Sequence, residues 1–286
     1  MVSNGVPART AGLEAREFAP DDVIWRVNRE LALLLGAGRA LLLQIAHPLI
    51  AAGVREHSGF ERDPLGRLAR TLEPMYALVF GTPAASAHAT AGMQRAHARV
   101  RGVLREAVGA YPAGTAYDAR DPVLRLWVHA TLTDTGLLVY RRFVGDLAPA
   151  ATARYYEDSR ALARRVDVPE ALVPPTLEAF GEYMAGQIAG DALAVGPATR
   201  ELVRSIFRPR AAPALRIVGP IVELVTAGLL PEPVRRLYGY RWSPSRERAL
   251  CAAAAVVRRL LPLVPPLLRH APQARRAARA RSLAPR

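Results

Sequence analysis

From residue 23 onward the apolar positions do not keep to one helical stripe. Asp21 and Asp22 offer a cap, Ile24 and Val27 form an inner face with Trp25 at its edge, and Leu31–Leu35 and Ala40–Ile45 continue apolar on nearly every side. A helix apolar all round belongs at the centre of a packed domain. Gly36 and Gly38 predict a break or a close helix crossing, and Pro48 a kink or restart. The stretch Leu31 to Val54 has the length of a membrane span, but Arg39, Gln44, His47 and Pro48 interrupt it, which predicts a buried core helix.

Further on, Asp63-Pro64 predicts a helix start, with the helix running from Leu65 to about Val79 and closing at Gly81. Residues 84–108 read as one helix with Met93, His97, Val100 and Leu104 inward, and Gly109 to Ala119 as a loop. Asp121-Pro122 is the clearest start in the chain, an aspartate at the N-cap and a proline at N1. Its helix runs through Leu126, Trp127, His129, Ala130 and Leu137 towards Phe143. Pro149 opens another that ends before Pro169, Pro174-Pro175 precedes the next, and a last one spans Pro244 to Leu261. Between these lies an apolar stretch punctuated by Pro213, Pro220 and Pro231. With no long apolar/polar alternation and no internal repeat, the pattern predicts an all-α, single-domain globular helical bundle built around a buried pocket. That domain covers 21–268, between a flexible leader at 1–20 and a basic tail at 269–286.

Composition agrees. Apolar residues are 51% of the 286, and alanine, leucine and arginine dominate. The formal net charge is +14, and all 39 basic residues are arginine. Arg258, Arg259, Arg269, Arg275, Arg276, Arg279, Arg281 and Arg286 crowd the C-terminal end. That end lacks interleaved aromatics and any recognised motif, which argues against nucleic acid. A solvated tail, or a peripheral contact with an anionic membrane surface or an acidic partner, fits it. A single cysteine, Cys251, excludes an internal disulfide and cysteine-cluster metal sites. Met1 to Pro20 is polar and broken by Gly5 and Pro7, so it does not read as a secretory signal, and a cytoplasmic location is expected.

The candidate chemistry rests on histidine. Of six, His88 and His270 lie in polar or terminal surroundings, whereas His129 sits mid-helix among apolar neighbours. A buried neutral imidazole there is either a hydrogen-bonded core group or a metal ligand, and one histidine on a stiff helix suffices for a haem. His47 and His57 are ten residues apart, a spacing that matches neither a zincin helix nor a zinc finger. His97 stands apart from both. Arg39, Arg67 and Arg70 need anionic partners, which Glu56, Glu61 or Asp63, or the carboxylates of a haem, would supply. There is no nucleophile elbow, P-loop or dinucleotide fingerprint.

The ordered motifs Arg39-Ala40-Leu41-Leu42-Leu43-Gln44-Ile45-Ala46-His47-Pro48, Ala51-Ala52-Gly53-Val54, Glu56-His57-Ser58, Asp63-Pro64-Leu65-Gly66-Arg67, Arg70-Thr71, Phe80-Gly81-Thr82, Asp121-Pro122, Trp127-Val128-His129-Ala130-Thr131-Leu132 and Gly228-Leu229-Leu230-Pro231 are carried between about Trp25 and Trp242. Together they resemble the MpaB-like oxygenase family, which includes the latex-clearing rubber oxygenases. The resemblance implies an all-α fold holding a b-type haem, a histidine as proximal iron ligand, dioxygen as co-substrate and a hydrophobic small molecule as substrate. By motif the proximal ligand is His129. Arg39, Arg67, Arg70, Thr71, His47 and His57 are the further cofactor-binding candidates, and Arg95 and His97 the catalytic ones on the distal side. In rubber oxygenases a lysine and a threonine follow the distal arginine; Ala98 and Arg99 stand in those positions, and this chain has no lysine. Two other readings stay open from the residues alone. One is a non-haem metal enzyme using His47, His57 and His97; the other is a non-catalytic helical binding protein.

Overall fold

A computed structural model describes residues 17–58, 64–208 and 215–283. The chain runs α1 (Val23–Asn28), a 3₁₀ turn (Leu31–Gly36), α2 (Ala37–Ile45), α3 (Pro48–His57), α4 (Pro64–Phe80) and α5 (Pro83–His97). A two-stranded hairpin follows, β1 (Arg101–Val103) and β2 (Ala116–Asp118), antiparallel, with Gly102 opposite Tyr117. Then come α6 (Pro122–Val139), a π-turn (Tyr140–Val144), α7 (Pro149–Arg165), α8 (Leu177–Ala189), α9 (Pro197–Phe207) and α10 (Leu215–Leu229). The chain closes with α11 (Glu232–Leu237), α12 (Pro244–Leu260), α13 (Pro266–Arg269) and α14 (Pro272–Leu283). It is a single all-α globular domain, with one small sheet among the described residues.

The predicted centre is the centre. Leu42, Leu43 and Ile45 of α2 are fully buried and join Trp127 and Ala130 of α6, Phe180 and Met184 of α8, and Val234 of α11 in the main core. The Leu31–Val54 stretch is not one helix: α2 and α3 meet at Pro48 with a bend of 110°, and no single described helix is long and apolar enough to cross a membrane. Gly38 marks a close crossing, as an added Cβ would overlap the Thr226 hydroxyl of α10. Trp25 is buried rather than at an edge. It packs edge-on to Phe80 with centroids 4.8 Å apart, while Arg281 of α14 lies 4.6 Å over its ring.

Two expectations change. The helix predicted over 84–108 ends at His97, and residues 101–103 turn into β1, so Val100 and Leu104 pack around the hairpin with Ala52 and Tyr117 instead of continuing a helical face. The hairpin bonds Leu104 N to Thr115 O and Ala119 N to Val100 O, ties available only across the chain reversal. The described part of the basic tail is helical and seated. Ala271 and Ala274 are buried beside α4, and Arg281 pairs with Glu17 at 3.1 Å.

Candidate functional site

α6 is the helix on which the site depends. Asp121 caps it by accepting the Val123 amide at 2.8 Å, and Pro122 takes N1, where no amide is needed. Buried residues occupy every side, so α6 is enclosed. On one side Trp127 donates to Leu43 O at 3.1 Å and Gln44 of α2 donates to Thr131 at 3.2 Å.

On the other side stands His129, buried against α7. Its Nε2 lies 3.0 Å from Ser159 Oγ and 3.4 Å from Thr133 Oγ1, and those two hydroxyls are 2.6 Å apart. Burial pushes the imidazole pKa down to about 4, offset in part by a hydrogen bond at Ser159, so the ring is neutral at pH 7. One turn before it, Arg125 reaches Asp167 Oδ2 at 3.2 Å and Ala119 O at 3.1 Å. Asp167 follows the end of α7 in the left-handed region (φ 59°) and also accepts from Gln94 of α5 at 2.7 Å.

Beside Arg125 and Asp167 runs a seam of about 10 Å³ lined by Thr90, Met93, Gln94, His97, Arg125, Val166 and Asp167, and not by His129. His97 therefore faces the side of α6 that carries Arg125 and, four residues on, His129. Burial lowers the His97 pKa and the Arg125 charge lowers it further, against Asp167. Arg95, two residues away, is exposed. α5 has no buried residue, and two side-chain bonds fasten it to the end of α7: Thr90 to Arg165 O at 2.9 Å and Gln94 to Asp167.

The other sequence candidates lie apart from this seam. Arg39 is buried with all three nitrogens engaged: Nε donates to Leu229 O at 2.8 Å, and the other two to Thr135 at 2.5 Å and Asp134 at 2.6 Å. Its partner is thus an aspartate of α6, not one of the acids between 56 and 63. His47 is buried at the α2–α3 turn, with Nε2 3.1 Å from the Tyr111 hydroxyl and Nδ1 unpartnered among the described residues. Burial lowers its pKa to about 4, against the pull of Asp121.

His57 joins Tyr117 at 3.3 Å; the same hydroxyl donates to Glu56 at 2.6 Å, and Arg105 donates to Glu56 at 3.0 Å. The Tyr117 hydrogen bond, helped by Arg105, holds the Glu56 carboxyl below its usual range, while burial and that carboxylate push Tyr117 up to about 12. Beside them an open polar concavity of about 570 Å³ is lined by Arg55, Glu56, Arg105 and Glu106, and not by His129. Arg70 and Thr71 are exposed on α4; the Arg67 side chain, Glu61 and Asp63 lie outside the described residues. His47 and His57 thus have separate partners and His97 lines the seam, and no group of three or more histidine, cysteine or acidic residues gathers as a metal site among the described residues.

Sequence reasoning passed over Arg125, Ser159 and Asp167. The spacing of Arg125 and His129 on one helix was the available signal, since residues four apart share a face. Nothing local marks Asp167 as left-handed.

The His129 imidazole fits an axial haem ligand in its chemistry: neutral, buried and on a stiff, capped helix. Its Nε2 is met by Ser159, whose hydroxyl has Thr133 as a second partner to turn to. The seam itself, with α5 where it stands, does not hold a macrocycle, and each Arg39 nitrogen already bonds a protein acceptor.

The fold is an all-α globular domain that buries a neutral histidine on α6. More specifically, residues 25–259 match the family described as ER-bound oxygenase mpaB/B'/Rubber oxygenase, catalytic domain, and the chain belongs to that oxygenase family. The uncharacterized protein Mb2261 of Mycobacterium bovis is 28% identical over 240 residues, which cover 79% of this chain and 87% of that one. The uncharacterized protein Rv2237 of Mycobacterium tuberculosis matches to the same extent. No solved structure matches the chain.

Proposed function

We propose that this protein is a haem b-dependent oxygenase that acts on a hydrophobic small molecule with dioxygen, and that His129 would be the residue holding the haem iron. The observation that carries the reading is the buried imidazole of α6, kept neutral by its surroundings in a chain of an oxygenase family. Haem, when bound, supplies an iron that exchanges electrons with dioxygen.

The chain's own residues do the rest. Burial keeps the His129 lone pair unprotonated across the physiological range. Arg125, oriented by Asp167, sets a fixed positive charge at the seam. His97 faces the same seam and can hold or pass a proton at a ring nitrogen, a role closed to the outward Arg95. Met93 and Val166 give the seam apolar walls, and at about 10 Å³ it admits a substrate only if α5 moves.

The test is the absorption spectrum and iron content of protein expressed with ample haem. Wild type is expected to show a Soret band with about one iron per chain, and His129→Ala to lose both. A band unchanged in His129→Ala, or no band in wild type, overturns the assignment.

A further inference from the structure

The exposed apolar surface is not scattered evenly; four of its leucines fall in one segment. Residues 260–268 read Leu-Leu-Pro-Leu-Val-Pro-Pro-Leu-Leu, nine in a row without a polar side chain, where α12 ends and α13 begins. A run of this kind belongs in a core. Instead Leu260 is 54% exposed, Leu263 77%, Leu267 63% and Leu268 68%. Isolated surface leucines need no explanation, but four projecting from one short segment form a patch that asks for an apolar partner.

The segment is held out by its two ends. Before it, Arg258 pairs with Asp146 and donates to Arg141 O at 3.3 Å. After it, Arg269 grips the buried Glu30 with two hydrogen bonds of 2.7 and 3.0 Å, and the Ala271 amide donates to Arg29 O at 2.7 Å. Both feet are therefore tied to the body, and the leucines between them cannot fold back without breaking those ties.

Its backbone is also prepared for a medium without water. Pro262, Pro265 and Pro266 have no amide hydrogen. The amides of Leu261, Val264 and Leu268 are bonded internally, to Val257, Leu261 and Pro265 carbonyls. Few bare donors would then enter hydrocarbon, the chief obstacle to placing irregular backbone there.

Charge selects the partner. After Glu247 the sequence holds nine arginines and no aspartate or glutamate. Arg259 adjoins the apolar segment, and Arg276 and Arg279 are exposed on α14. An apolar projection next to Arg259, followed by the exposed Arg276 and Arg279 of α14, complements a bilayer with anionic headgroups, where leucines enter the acyl boundary and guanidinium groups meet phosphate. A second copy of this chain would bring the same excess of positive charge to the contact and is disfavoured by it.

We propose that Leu260–Leu268 is a membrane-inserting projection that docks this protein peripherally on an anionic lipid bilayer, with Arg259 and the exposed arginines of α14 meeting the headgroups. The proposal does not depend on the haem assignment. It differs from adsorption by the basic tail alone, because the binding resides in leucines ahead of that tail.

Flotation of the full-length protein with vesicles of phosphatidylcholine containing about a third phosphatidylglycerol tests it. Wild type is expected to float with these vesicles and to bind less at high salt. The triple variant Leu263→Ser, Leu267→Ser, Leu268→Ser is expected to bind at least about 100-fold more weakly. Arg259→Gln with Arg276→Gln should lose roughly tenfold or more, and Leu172→Ser, remote in sequence, should change nothing. Equal thermal melts of the leucine variant and wild type exclude misfolding as the cause. In Leu267→Trp the added indole should be quenched by lipids brominated in the acyl chain. Absence of flotation by wild type, flotation of the triple variant at wild-type strength, or no quenching overturns the proposal. So does sedimentation showing that the same leucines hold a dimer while nothing floats.

Discussion

The two sides of α6 are built differently. Towards α2, contact is close and fastened: Arg39 spans to Asp134, Thr135 and Leu229 O, Trp127 bonds Leu43 O, and Gln44 bonds Thr131. Towards α5 and α7 lie His129, Ser159, Arg125 and Asp167, and the helix closing that side, α5, buries no residue of its own. The first side maintains the fold; the second holds ionisable groups against an element that can shift. Oxygenase chemistry with a cofactor and an apolar substrate needs both, a rigid wall and a wall that yields.

The largest expected effect breaks the fastened side. Arg39→Ala removes the cation from a buried pair and leaves Thr135, the Leu229 carbonyl and Asp134 short of a donor. The loss expected is about 3 kcal/mol of folding stability, the lower end of the range for such pairs because Asp134 retains some water. Urea unfolding measures it. If Arg39 instead served a haem carboxylate, the variant would unfold like wild type and lose only cofactor affinity.

Next comes pH. His47, on the same side, has a folded pKa of about 4 against 6.5 in the unfolded chain. Between those values the unfolded chain binds a proton that the folded one refuses. Stability is therefore full above about pH 6.5 and falls as pH drops towards 4, by about 2–3 kcal/mol at pH 4.5. His47→Phe should remove that part of the slope. A similar contribution from His129, whose folded pKa is also about 4, should remain, so only a slope as steep in the variant as in wild type would place the His47 titration elsewhere.

How much of this could be read from sequence depended on how local each signal was. Asp121-Pro122 fixed the start of α6 because a cap and an N1 proline act within four residues. The centrality of α2 followed from its all-round apolar pattern, and the break at Pro48 from the proline itself. The end of α5 was hidden because no glycine or proline follows His97 within four residues, and Val100 and Leu104 continue the helical spacing by accident. Strands of three residues are too short to show alternation. At the site, His129 was legible as a histidine among apolar neighbours. Its partner Ser159, 30 positions away on α7, was not, and neither was the pairing of Arg125 with Asp167 across 42.

The smallest effects compare the two sides by one methyl group each. At Gly38 of α2 an added Cβ would overlap the Thr226 hydroxyl, with further Thr226 carbons at 3.1 Å, so Gly38→Ala must push α2 off α10 at a cost of about 2 kcal/mol. At Gly92 of α5 the nearest atom is an Arg95 guanidinium nitrogen, 3.9 Å away at the end of a flexible side chain. There alanine gains helix propensity without a clash, and Gly92→Ala should stabilise by up to about 1 kcal/mol. Hydrogen exchange on the two variants gives the sharper reading. In wild type, amides of α5 should exchange well before those of α6, since α5 opens without exposing core. Gly92→Ala should slow α5 alone, whereas Gly38→Ala should speed α2 and α6 together. If the two helices exchange at one rate in wild type, α5 is as firmly held as α6, and the seam beside Arg125 and His97 is not a wall that yields.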